Sequence, residues 1–207
     1  MGLRERNAEH TREHLIDTAI ELFAGAGYEA VTLEQVAHEA GVSISTLYRY
    51  FPTKDLLVIT PVALNGQMAT ELRRRPAEEP LDVALACAVR AILGAPRGDP
   101  RRLRQISRLV SETPSLTARL RDDFIRERAM LQEALVERLG RPQDDIYCAM
   151  TARVALGVFE LAAVHSRTAD EAHFGTTAFL EAAEHVMTTL LQEPPTIPRP
   201  EQEQASK

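Results

Sequence analysis

Apolar side chains recur at intervals of three or four residues along almost the whole chain, which is the spacing of one face of an α-helix. In the first such segment, over residues 9–26, Leu15 and Phe23 share an apolar face and Gly27 follows as a C-cap. No alternating run of β-branched and polar residues indicates a strand. The pattern therefore predicts an all-α fold.

Two short helices are predicted next. The sequence TLEQ at residues 32–35 is a capping box, in which a Thr hydroxyl and a Gln amide bond free backbone N–H groups at the start of a helix. After a tight connection at residues 41–42, Ser43 can cap a third helix over residues 44–50, which Pro52 ends. The spacing is that of a three-helix unit.

The remainder of the chain continues the helical pattern. Thr53 can cap a long helix over residues 54–75, which Pro61 should bend near Leu57 because proline lacks an N–H. This helix would connect the opening unit to the rest of the chain and could act as a lever. Further helices are predicted over residues 80–93, 100–111, 115–139, 143–167 and 170–192, followed by a proline-rich tail, residues 194–207, that is predicted to be disordered.

The stretch GVSISTLYRYFPTK, residues 41–54, contains no acidic side chain, although the formal net charge of the chain is −6. Two short helices joined by Gly-Val-Ser match the helix-turn-helix, whose second helix enters the DNA major groove. In a helix-turn-helix bound to DNA, an acidic side chain in this stretch would lie close to the negatively charged phosphates and be repelled by them. Residues 1–58 hold five basic and nine acidic side chains, so a strongly basic field around the unit is not predicted.

The third predicted helix carries the candidate DNA contacts. Leu47 and Phe51 are four residues apart and should pack on the first helix. A purely structural alternative is that the hydroxyls only cap and the aromatic rings only fill a core. Tyr48, Arg49 and Tyr50 are consecutive, however, and cannot all face inward. The candidate phosphate or base contacts are Ser43, Ile44, Ser45, Thr46, Tyr48, Arg49, Tyr50 and Lys54.

Residues 11–57, TREHLIDTAIELFAGAGYEAVTLEQVAHEAGVSISTLYRYFPTKDLL, resemble the N-terminal domain of the TetR family of transcriptional regulators. The resemblance implies a homodimeric, ligand-responsive repressor that binds a palindromic operator. It implies phosphate contacts from Thr32, Tyr48 and Lys54. The groove contacts that it implies come from Ser43, Ile44, Ser45, Thr46, Arg49 and Tyr50. It also implies an N-terminal arm that reaches the DNA and contains Arg4, Arg6 and Arg12.

The same resemblance divides the chain into three parts. Residues 1–53 are expected to form the helix-turn-helix DNA-binding domain, and residues 54–193 a helical effector-binding and dimerisation domain. Residues 101–139 and 143–168 also resemble regulators related to the one that governs mycofactocin genes, whose ligand is an acyl-CoA. A small-molecule effector, either an acyl-CoA or another apolar or anionic compound, is the implied partner.

The apolar face of the segment at 115–139 is interrupted by Glu127 and Arg128. Polar groups on an apolar seam need partners. One alternative is an ion pair with an arginine such as Arg104 or Arg108, and the other is contact with a ligand. The candidate ligand-binding residues are Arg104, Arg108, Phe124, Glu127, Arg128 and Phe159.

The segment at 143–167 is apolar on two sides. One stripe contains Ile146, Met150, Val154 and Leu161, while Leu156 and other residues form a second. A helix with two apolar sides needs two partners. We therefore predict that the segments at 143–167 and 170–192 pair with their copies in a four-helix dimer interface. The alternative is a monomer that buries both stripes internally.

Several protein classes are disfavoured by what the sequence lacks. No paired carboxylates, nucleophile with a base, glycine-rich phosphate loop or metal cluster can be placed on these helices, which argues against an enzyme or a cofactor. His10 and His14 have metal-like spacing but no third ligand. No signal peptide or membrane span is predicted, so we expect a cytoplasmic protein. A DNA-binding protein controlled only by a protein partner remains an alternative.

Overall fold

The computed structural model describes residues 2–93, 99–166 and 176–197, and these residues form ten α-helices. The predicted all-α fold is confirmed. The helices are α1 (Leu3–Ala26), α2 (Leu33–Glu39), α3 (Ile44–Tyr50), α4 (Leu56–Ile59), α5 (Gln67–Arg74), α6 (Leu81–Leu93), α7 (Pro100–Glu112), α8 (Pro114–Leu139), α9 (Ile146–His165) and α10 (Thr176–Gln192).

Helices α1, α2 and α3 pack into the predicted helix-turn-helix unit. Leu47 and Phe51 have no exposed surface and belong to the same buried cluster as Leu15, Ile20 and Phe23 of α1. The predicted packing of α3 on α1 is therefore confirmed. Helix α1 begins at residue 3, six residues before the predicted start, because its polar first turns continue the helix without contributing to the apolar face.

The ends of these helices follow the predicted local chemistry. The hydroxyl of Thr32 accepts the N–H of Gln35 at 3.3 Å, and the Gln35 amide oxygen accepts the N–H of Thr32 at 2.8 Å. Ser43 caps α3 by accepting the N–H of Thr46 at 3.2 Å. Gly27 ends α1 with φ of 90°, a conformation that glycine adopts without strain. Short-range hydrogen bonds thus fix the starts of α2 and α3.

The helix-turn-helix unit is attached to the rest of the protein through α7. Its apolar cluster continues into Ile106 and Leu109 of α7 and into Leu116 of α8. Arg102 of α7 donates to Glu13 at 2.6 Å and to Asp17 at 2.7 Å, both on α1. The proposed domain boundary at residues 53–54 lies inside this cluster, so α4 packs with the unit that precedes it.

The long helix predicted over residues 54–75 is wrong. Helix α4 has only four residues and begins after Asp55, without the predicted cap from Thr53, and α5 starts at residue 67. Pro61 supplies no N–H to continue α4. The chain then reverses through Asn65 and Gly66, which have φ of 52° and 75°. Two successive left-handed residues break a helix completely, where a proline alone would only bend it.

Glu127 in the middle of α8 stabilises the start of α5. It is 1% exposed, and its two carboxylate oxygens accept the N–H groups of Gly66 at 2.5 Å and Met68 at 3.0 Å. Burial raises the pKa of Glu127, while these two donors act in the opposite direction. The ion pair with Arg104 or Arg108 that the sequence suggested is therefore wrong, because backbone groups take both oxygens.

A second apolar cluster holds α5, α6, α8, α9 and α10 together. One face of α9 is buried and includes Ala152, Leu156 and Phe159. Among the described residues, α9 is long and apolar enough to span a membrane, with a mean hydropathy of 1.5, contrary to the expectation that no such segment exists. Core helices of soluble proteins meet the same criteria.

Replacing Glu127 with Ala should lower the free energy of unfolding by about 2–4 kcal/mol, because two buried N–H groups lose their acceptor. Glu137→Ala on the same helix is the matched control, since Glu137 is 58% exposed and pairs with Arg73 at the surface. Its cost should stay below about 1 kcal/mol. Urea unfolding followed by circular dichroism measures both, and equal losses would refute the capping role of Glu127.

Candidate nucleic-acid interface and ligand cavity

Helix α3 presents a polar and aromatic face to solvent. Tyr48 is 44% exposed and Ile44 is 36% exposed, and Arg49 is also exposed, while Tyr50 is half-buried. The structural alternative, in which these rings fill a core, is therefore wrong for Tyr48. Ser45 and Arg49, both exposed, lie opposite the buried Leu47 on the helix, so this side of α3 is open to another molecule.

Three hydroxyl groups form a network at the first turn of α3. The Ser43 hydroxyl lies 2.9 Å from that of Ser45 and 2.8 Å from that of Thr46. Each hydroxyl can donate or accept, so the network can exchange an internal bond for a phosphate oxygen or a base edge. Their position at an exposed helix start makes them available to a ligand approaching α3.

Aromatic rings hold the two cations next to this face. The guanidinium carbon of Arg49 lies 5.1 Å from the ring centroid of Tyr50, and the ammonium of Lys54 lies 4.2 Å from that of Tyr28. Burial lowers the pKa of Lys54, whereas the Glu29 carboxylate raises it. Burial, with Asp55 and Glu29, raises the pKa of Tyr28 to about 12. The sequence did not indicate that Tyr28 positions Lys54.

Two predicted contacts lie away from α3. Thr32 is exposed at the start of α2, where it also caps that helix. The guanidinium carbon of Arg12 lies 5.4 Å from the ring centroid of Phe51, and its side chain lines a cavity with residues of α4 and α8. Arg12, which was expected in an arm that reaches the DNA, thus lies within α1 and lines this cavity.

A mostly apolar cavity of about 460 Å³ lies between helices α6 to α10. Phe124 and Phe159 pack edge to face in its wall, with ring centroids 6.1 Å apart. Its lining residues are Val62, Leu93, Leu103, Ile106, Ser107, Val110, Thr117, Leu120, Arg121, Phe124, Phe159, Glu160, Ala163, Val164 and Phe179. A volume of this size suits a small organic ligand.

Only the two phenylalanines of the predicted ligand set line this cavity. Arg108 is exposed and donates to Glu112 at 2.8 Å, and Glu127 caps α5. Arg104 and Arg128 are half-buried but are absent from the described lining.

The charged lining residues are instead Arg121 and Glu160. Burial raises the pKa of Glu160, and the charge of Arg128 lowers it. Arg121 lies three residues before Phe124 on α8, so helical spacing could have identified it.

The fold and these two features define a class: a helical protein that combines an exposed helix-turn-helix with a separate ligand-sized cavity. Residues 15–59 match the family described as "Bacterial regulatory proteins, tetR family". Residues 79–192, more than half of the chain, match the MftR C-terminal domain. The chain belongs to the TetR family of bacterial regulators, with a C-terminal domain of the MftR type.

Individual relatives are consistent with this assignment. The chain is 39% identical over 125 residues to the HTH-type transcriptional regulator TcmR of Streptomyces glaucescens, covering 56% of this chain and 55% of TcmR. It is 30% identical over 142 residues to the HTH-type transcriptional repressor KstR of Rhodococcus jostii (strain RHA1), covering 68% of this chain and 59% of KstR. The chain thus spans somewhat more than half of each relative's length.

A solved structure has the same fold. The Thermus thermophilus TetR-family repressor FadR, determined in complex with lauroyl-CoA, superposes with a TM-score of 0.53 at 21% identity. The match covers 92% of this chain and 98% of FadR. The similarity therefore extends across both the helix-turn-helix unit and the helices that enclose the cavity.

Proposed function

We propose that this protein is a ligand-responsive transcriptional repressor, which binds a palindromic operator as a homodimer and is released by a small-molecule effector. The outward display of the α3 side chains carries this proposal. Membership of the TetR family supports it, as do the cavity and the apolar stripe on α9. We place the protein in the cytoplasm, where it meets chromosomal DNA and metabolites.

In the proposed complex α3 lies in the major groove with its N-terminal turn toward the bases. Ser45 and Thr46 reach base edges or phosphates, and Ile44 contacts a thymine methyl. Arg49 and Tyr50 supply longer groove contacts, as the family resemblance implies. The phosphate contacts come from Thr32, Tyr48 and Lys54, and Ser43 keeps the first turn in place. Because the unit has few cations, the affinity depends on these specific contacts rather than on general attraction to DNA.

The dimer forms through α9 and α10 and their copies. Ile146, Met150, Val154, Leu161 and Val164 lie on one stripe of α9 and are between 46% and 79% exposed in the single chain. A contiguous apolar stripe of this length on a soluble protein indicates an interface. The monomeric alternative required the chain to bury this stripe internally, and the described residues leave it open.

The effector occupies the cavity between α6 and α10. Its walls suit an apolar chain or ring system, and Arg121 offers a pairing site for an anionic group at one end. An acyl-CoA has this chemistry, and FadR, which has the same fold, binds lauroyl-CoA. The volume of about 460 Å³ accommodates the acyl portion, with the nucleotide portion left outside.

Helix α8 connects the cavity to the DNA-binding unit and replaces the continuous lever predicted from the sequence. Phe124 lines the cavity, and Glu127, one turn later, holds Gly66 in the break between α4 and α5. A ligand that displaces α8 therefore acts directly on the segment that supports α4. The protein is released from the operator if the ligand favours a dimer in which the two α3 helices are no longer roughly 34 Å apart, the length of one turn of duplex.

Arg49→Ala should weaken binding to the region upstream of the protein's own gene by about 1–3 kcal/mol, because it removes a groove contact. Arg74→Ala is the control, since Arg74 is also exposed but lies on α5. Fluorescence anisotropy with labelled duplex measures both affinities at one salt concentration. If Arg49→Ala retains full affinity, α3 does not read the groove as proposed.

Lauroyl-CoA should raise the melting temperature of the protein and release it from the operator, because it binds the native fold preferentially. Ala163→Trp fills the cavity and should abolish both effects while operator binding persists. Ala118→Trp, at an exposed position on α8, should leave both effects unchanged. A response that survives in Ala163→Trp would place the effector elsewhere.

Val154→Asp should convert the dimer to a monomer, because it puts a charge in the middle of the proposed interface. Val83→Asp is a matched control, since Val83 on α6 is 45% exposed and Val154 is 48% exposed. Sedimentation velocity distinguishes the two masses. A wild-type protein that sediments only as a monomer, or a Val154→Asp variant that remains dimeric, would refute this interface.

A further inference from the structure

A second cavity lies at the junction between the helix-turn-helix unit and the C-terminal helices. Its volume is about 250 Å³, and it shares no lining residue with the apolar cavity. Side chains from α1, α4, the connection after α4, and α8 surround it. They are Arg12, Leu56, Ile59, Thr60, Ala63, Asn65, Arg119, Asp123, Arg126 and Met130.

The cavity wall has an excess of positive charge. Arg12, Arg119 and Arg126 bring three guanidinium groups to it, and Asp123 is its one described acidic lining residue. Asp123 pairs with Arg126 on the same helix. Arg119 pairs with Asp55, outside the lining, at 3.0 Å. These two pairs neutralise two arginines and leave the charge of Arg12 without an acidic partner among the described residues.

Arg12 is also short of a hydrogen-bond partner. Its Nε is buried, and no described group accepts from it. The ring of Phe51, with its centroid 5.4 Å from the guanidinium carbon, attracts the charge but accepts no conventional hydrogen bond. A buried donor without an acceptor is costly, so this position favours an acceptor that enters the cavity.

Neutral donors complete the wall. Thr60 contributes a hydroxyl, and Asn65 contributes an amide from a left-handed residue with φ of 52°. The lining therefore combines guanidinium, amide and hydroxyl donors around one small space.

The geometry points to a binding site for a small oxyanion, a phosphate or a carboxylate, held by Arg12 with Arg119 and Arg126. Guanidinium groups bind such oxygens through paired, charge-assisted hydrogen bonds. The bound anion would join α1 and α4 to α8. It would thereby stabilise one arrangement of the DNA-binding unit relative to the rest of the protein, independently of the ligand in the apolar cavity.

The same chemistry is available from a free anion and from the phosphate backbone of DNA. We assign the site to a free anion for a geometric reason. One wall of the cavity is α8, with Arg119, Asp123, Arg126 and Met130, and no described lining residue lies on α3, the helix proposed to contact DNA. A free anion should bind in the absence of DNA. The two sources are therefore distinguished by measuring phosphate binding to the full chain alone.

The test is thermal unfolding and isothermal titration calorimetry of the full chain with sodium phosphate, against sodium chloride at matched ionic strength. Phosphate should give a saturable rise in melting temperature beyond that of chloride. Arg12→Gln and Arg126→Gln should each raise the dissociation constant for phosphate at least tenfold. Arg108→Gln is the control, because Arg108 is exposed and paired on its own helix, like Arg126, but lies outside the cavity.

Three results would overturn the proposal. The first is phosphate stabilisation no greater than that of chloride in the wild-type protein. The second is an equal loss in Arg108→Gln and Arg126→Gln, which indicates a general ionic effect. The third is unchanged phosphate binding in either cavity variant. A loss of operator affinity in Arg12→Gln, without phosphate binding by the free wild-type protein, would assign Arg12 to the DNA backbone instead.

Discussion

Burial of Leu47 and Phe51 against α1 determines which side of α3 meets solvent. Both side chains are completely buried, and they are four residues apart on one face of the helix. A rotation of α3 that exposed either one would cost about 1.5–3 kcal/mol of apolar burial. The opposite face, with Ser45 and Arg49, must therefore point outward, and Tyr48 lies beside it. The DNA recognition proposed for α3 depends on that packing constraint.

Helix α8 has the corresponding role in the C-terminal part. It carries Phe124 in the apolar cavity, Glu127 at the break before α5, and Arg126 in the junction cavity. These residues lie within four positions of one another, so a displacement of α8 reaches all three places together. In the proposed mechanism, these neighbouring residues on one helix connect the effector cavity to the helix-turn-helix unit.

The sequence predicted well those features that local chemistry decides. The capping box at Thr32 and Gln35, the cap at Ser43 and the limits of α3 depend on neighbouring residues, and all are confirmed. The sequence also predicted two apolar sides for α9. In the structure one of these sides is buried and the other is exposed.

The incorrect predictions concern places where residues far apart in the sequence come into contact. The break at residues 60–66 is stabilised by Glu127, about sixty residues away. The Asn65-Gly66 pair was a local turn signal that distinguishes it from a proline bend, and it was overlooked. The same carboxylate was misread as a partner for an arginine, because the sequence gives no sign of two unpaired backbone N–H groups. Arg108 was expected near a ligand but pairs with Glu112 at the surface. Helical spacing fixes a face, and tertiary packing decides what that face meets.

The most direct test of DNA recognition through α3 is backbone amide NMR of the labelled protein with and without operator duplex. The largest chemical-shift changes should fall on residues 43–50, with smaller changes near Thr32 and Lys54. Changes concentrated on α9 and α10, with α3 unperturbed, would contradict the proposal that this helix contacts DNA.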